Sequence, residues 1–86
     1  MQLNPDEMAA VVKRLKRAQG QLGGIIKMIE EGRECQDVVT QMAAVSKAVD
    51  RAGFATISLG LRQCISDPEH NEVDVKSLEK LFLSLA

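Results

Sequence analysis

An all-α fold, a long antiparallel helical hairpin followed by a short C-terminal helix, is predicted by three observations. Apolar residues recur in alternate steps of three and four along two long stretches. No stretch shows the strict apolar–polar alternation of a strand. A turn-forming cluster, SDPEHNE, interrupts the pattern late in the chain.

The first helix opens at NPDE. Asn4 suits the N-cap, Pro5 the first helical position, and Glu7 the third position of a capping box. Met8, Val11, Leu15, Ala18, Leu22, Ile25 and Ile29 then form a heptad seam. Gly32 in EEGRE is placed to stop it.

A second helix is expected to start between Arg33 and Cys35, with Asp37 favourable in its first turn. Val38, Met42, Val45, Val49, Ala52 and Leu59 continue the heptad spacing, with Thr56 in one place. Val39, Ala43, Phe54, Ile57 and Leu61 add a second apolar set, so this helix needs more than one neighbour. Gly53 and Gly60 cost helicity and suggest close packing. Pro68 and its neighbours end the helix. Val75, Leu78, Leu81, Phe82 and Leu85 lie on one face of a third helix.

The whole length, residues 1–86, makes a single domain. Hydrophobic residues are 45% of the chain but aromatic residues only 2%, so a self-sufficient core is hard to build. Burial shared between copies is the natural remedy, and a homodimer at least is expected. No signal peptide and no bilayer-length apolar run is present, which points to a cytoplasmic protein without membrane contact.

Net charge is −1, yet its distribution is uneven. Lys13, Arg14, Lys16, Arg17 and Lys27 fall between Met8 and Ile29 with no acidic residue among them. On a helix, Lys13, Lys16 and Arg17 spread over outward faces, Gln19 joins them, and Arg14 stands beside the seam. Duplicated in an oligomer, this becomes a positive surface able to track phosphates. The plain alternative is a solvated helix exterior.

Two cysteines, Cys35 and Cys64, offer a disulfide, half of a metal site, a redox pair or two unrelated core residues. On one continuous helix they stand on the order of 43 Å apart, too far to meet within a chain. Antiparallel pairing of two such helices about a two-fold axis near Val49 and Asp50 brings Cys35 of one chain beside Cys64 of its partner. Cys35 lies at a helix start, which favours a thiolate nucleophile, and Cys64 is then the resolving thiol. His70, the one histidine, falls in the turn and reads as a solvated residue; the methionines read as packing.

The stretch RLKRAQGQLGGIIKMIEEGRECQDVVTQMAAVSKAVD resembles the CsoR/RcnR family of bacterial transcriptional repressors, over about residues 10 to 65. The R-[LI]-x-R-x-x-G-Q block, the C-x-D-V-x-x-Q block and the spacing to Cys64 carry the resemblance. It implies a dimer of helical hairpins paired into a disc-shaped tetramer, which is not an enzyme. It also implies operator DNA bound through basic surfaces of the first two helices, Arg51 included, and released when an inducer reaches the dimer interface.

Copper sensors of that family place a histidine four residues before the second cysteine, where this chain has Gly60. Nickel and cobalt sensors need histidines in the N-terminal half, which are missing here. Formaldehyde sensors expect proline where Gln2 stands and lack a counterpart of Cys64. The two-cysteine pattern is most similar to the persulfide-sensing, CstR-like branch. Reactive sulfur species there link the two cysteines between protomers by di- or polysulfide bridges, with no cofactor. The alternatives are a Cu(I)-responsive repressor using the thiolates of Cys35 and Cys64, or a helical interaction protein that binds no DNA.

Overall fold

The computed structural model describes residues 2–66 and 72–86 and contains three helices, α1 (Ala9–Glu30), α2 (Cys35–Ser66) and α3 (Glu72–Leu85). The all-α expectation holds, with the helices in the expected order. Ser66 ends α2 and Glu72 opens α3; the rest of the expected break, His70 included, lies outside the described residues.

Asn4 does organise the first turn. Its Oδ1 accepts from the Asp6 N–H at 2.9 Å, and its carbonyl accepts from the amides of Glu7 and Met8. Regular α-helix begins only at Ala9, after a turn over residues 5–8. The return bond expected from Glu7 gives way to a tertiary one. The Asn4 N–H donates to Gln63 Oε1 at 3.2 Å, while Gln63 Nε2 donates to the Gln2 carbonyl. One amide side chain thus ties the N-terminal segment to the far end of α2.

The other end of α1 closes as the sequence predicts. Gly32 takes φ +73°, its N–H donates to Ile29, and the Arg33 N–H donates to Met28. Those two bonds are a Schellman closure, and only glycine enters that left-handed position without cost. Cys35 then starts α2, with Asp37 in its first turn.

α1 and α2 pack antiparallel through residues seven apart. Val11, Ala18 and Ile25 of α1 meet Ala52, Val45 and Val38 of α2 in two small clusters, one extended by Met28 and the other by Met8, Ala55 and Leu59. Only half of each predicted seam is buried in this way. Leu15, Leu22 and Ile29 on α1, with Met42 and Val49 on α2, are exposed. The reason is geometric. At about 100° per residue, a heptad seam is two rows wide, and one neighbouring helix covers one row. The extents are 55 × 25 × 12 Å, so the described residues form a layer one helix thick.

α3 packs on another side of α2. Phe82 meets Phe54 edge to face with ring centroids 5.1 Å apart, and a groove of about 300 Å³ between the helices is lined by Ile57, Leu61, Val75, Leu78 and Phe82, with Glu79. Gly53 lets α3 approach, since a Cβ there would lie 2.8 Å from Leu85 Cδ1. Gly53→Ala should therefore be close to neutral in thermal unfolding. A propensity gain of about 1 kcal/mol is offset by displacement of a flexible leucine end. Gly53→Leu has no such offset and should detach the last turn of α3, seen as faster amide exchange around Leu85.

Candidate nucleic-acid interface and thiol site

The two sides of the hairpin layer differ in chemistry. Along α1, Arg14, Gln21 and Arg17 fall on one flank of the buried row, while Leu15, Leu22 and Ile29 fall on the other. Because the helices are antiparallel, matching flanks of α1 and α2 share one side of the layer. An open groove of about 390 Å³ on the first side is lined by Arg14, Arg17, Gln21, Ala44, Ala48 and Arg51, over Ala18. No acidic residue lines it. Among the described residues the one ion pair is Lys27–Glu31 at 3.9 Å, so the three guanidinium groups are not spent on carboxylates.

The groove gathers Arg14, Arg17 and Arg51, residues drawn from both helices. Lys13, Lys16 and Gln19 are exposed on α1 but line no part of it. Gln19 stands about 140° around the helix from Arg14, toward the side of Leu15. Gln21 takes part instead, and sequence reasoning passed over it. The signal was available: Gln21 is seven residues after Arg14 and four after Arg17, so all three share a flank.

On the opposite side, α2 carries Cys35, Val39, Met42 and Val49 as one stripe at heptad spacing. The same stripe continues through Gly53, where α3 covers it, to Gly60 and Cys64. Cys35 is exposed, whereas Cys64 is 3% exposed. No disulfide joins them, and the unbroken run of α2 from Cys35 to Ser66 keeps them at its two ends.

No group of three or more His, Cys, Asp or Glu side chains converges among the described residues, and buried Gly60 offers no donor. Nor is any helix of the described residues long and apolar enough to cross a membrane.

The model of a family described as metal-sensitive transcriptional repressor matches residues 7–84. The copper-sensing transcriptional repressor CsoR of Mycobacterium ulcerans is 39% identical over 61 residues, which are 71% of this chain and 52% of that protein. The copper-sensing transcriptional repressor RicR of Mycobacterium tuberculosis is 41% identical over 54 residues, 63% of this chain and 56% of that protein. The uncharacterized protein YrkD of Bacillus subtilis is 38% identical over 58 residues, 67% of this chain and 92% of YrkD. The chain therefore spans about half the length of the two copper-sensing relatives.

Proposed function

The chain belongs to the metal-sensitive transcriptional repressor family, and we propose that it is a cytoplasmic, DNA-binding repressor released when reactive sulfur species bridge Cys35 of one protomer to Cys64 of another. The observation that carries the DNA-binding part is the groove. Three arginines from two helices converge with no carboxylate beside them, as phosphate contact requires. Lys13 and Lys16 extend the positive charge outside the groove.

Assembly follows from the other side of the layer. Leu15, Leu22, Ile29, Met42 and Val49 are too many large apolar side chains to leave half in water; burying the exposed part of each is worth about 1 kcal/mol. A second copy laid on this face buries them, and four helices then form a bundle, with further pairing to a tetramer. Val49 is exposed and lies midway along α2 between Cys35 and Cys64, on the stripe that holds both. A two-fold axis through that point puts each Cys35 beside a partner's Cys64.

The bridge forms in two balanced steps. The Cys35 thiolate attacks the sulfane sulfur of a low-molecular-weight persulfide, giving a Cys35 persulfide and releasing a thiolate. Cys64 of the partner then attacks the inner sulfur and expels hydrosulfide, leaving a disulfide. A second sulfane transfer onto the Cys35 persulfide, which releases a second thiolate, followed by attack of Cys64 on the sulfur next to the terminal one with loss of hydrosulfide, leaves a trisulfide instead. Exposed Cys35 suits the first step, and the second requires assembly to bring Cys64 within reach of the partner's Cys35.

Cu(I) is the second reading, favoured by the copper-sensing relatives CsoR and RicR. It also requires two chains, with two soft thiolates and no ligand at Gly60. Mass spectrometry after treatment with a persulfide donor, beside a Cu(I) titration, distinguishes the readings: sulfur-bridged dimers support the first, and DNA release by Cu(I) with unbridged thiols the second.

For DNA binding, Arg14→Ala, Arg17→Ala and Arg51→Ala should each weaken operator affinity while leaving helicity unchanged. Each lost phosphate contact should also reduce the slope of log affinity against log salt by about one. Affinity insensitive to salt, or unaffected by all three substitutions, counts against this interface and in favour of a helical protein without DNA contact.

A further inference from the structure

The groove between α1 and α2 has two unlike ends. The pairing of Val11 with Ala52 and of Ala18 with Val45 sets its direction. Arg14 and Arg51 therefore share one end, and Gln21 and Ala44 share the other. The arginine end suits a phosphodiester backbone. Toward the other end the lining is a neutral amide with the small Ala44 across the groove and Arg17 one helical turn away. No other described residue occupies the Gln21 amide.

A neutral amide displaces no counterions, so it adds little to the salt-dependent affinity. It does present a donor and an acceptor side by side, which match N6 and N7 of adenine. Small alanines across the groove leave the space that a base edge needs to reach that amide. We propose that Gln21 is a specificity-determining residue that reads a base edge, adenine best of the four, while Arg14, Arg17 and Arg51 hold the backbone. The inference rests on the DNA-binding reading above and extends it from affinity to sequence choice.

The test is selection from duplex DNA with a randomised centre, followed by titration of the selected duplex and a scrambled one at several salt concentrations. Gln21→Ala should lower the affinity ratio between the two duplexes about tenfold. Its salt slope should match the wild type, since a neutral amide releases no counterions, and the scrambled duplex should lose far less affinity than the selected one. Gln21→Met, which keeps the length without the amide, should behave like Gln21→Ala. Arg14→Ala, by contrast, should weaken both duplexes alike and flatten the slope. An unchanged ratio for both Gln21 variants, or an equal loss on both duplexes, overturns the assignment of Gln21 alone. Failure of the wild-type protein to bind any duplex in a salt-dependent way overturns the DNA reading, and this inference with it.

Discussion

In the proposed dimer Val49 sits at the two-fold axis, and Val49→Glu is expected to leave monomers. Val49 is 44% exposed in the single chain and sits on the stripe shared with Met42 and Cys35. At a two-fold axis a residue meets its own copy, so one substitution places two carboxylates face to face. Each loses water on assembly without gaining a partner, a cost of several kcal/mol together. A penalty of about 3 kcal/mol already weakens association by roughly two orders of magnitude. Sedimentation velocity at micromolar concentration should show a smaller particle with helicity largely kept. Lys47→Glu, which introduces the same carboxylate with a larger change of charge on an outward position of α2, should leave the particle size unchanged. A Val49→Glu protein that sediments like the wild type would remove this interface, and the intermolecular thiol site along with it.

Replacement of Cys35 should have the second large effect. Cys35→Ser is expected to abolish both the donor-induced crosslink and the loss of operator affinity, because the exposed thiol begins the exchange. Cys64→Ser should behave differently: it accepts sulfur at Cys35, detectable as an added mass, but forms no bridge. In the proposed dimer, crosslinks at both ends of the antiparallel helix pair should change the spacing of the two arginine grooves. It lowers affinity only if the bridged form favours the spacing that DNA does not accept. Gly60→His restores the family's third copper ligand and should raise Cu(I) affinity if the partner's Cys35 lies close by. Donor-treated wild-type protein that keeps full operator affinity would exclude the sulfur reading. Release by Cu(I) with both thiols unmodified would replace it.

Most of the fold was legible because its signals are local. The steps of three and four and Gly32 after EE each act through backbone geometry within a few residues. Gly32 adopts the left-handed conformation expected of it, and α2 runs unbroken as far as Ser66. The start of α1 was less legible. Glu7 was expected to return a bond to Asn4, but Gln63, far away in sequence, takes that amide. No local pattern encodes such a bond.

The sequence by itself determined three helices, the position of each cysteine at one end of a single helix, and an excess of apolar surface over what one layer can bury. It could not decide which row of each seam faces inward. Leu15 and Ala18 are equally good seam residues in one dimension, and only the placement of α2 buries Ala18 and exposes Leu15. The same placement joined Arg51 to Arg14 and Arg17, left Gln19 outside the groove, and brought in Gln21. Periodicity fixes which residues share a face. Which side of the layer that face occupies depends on contacts between helices, and those exist only once the chain has packed.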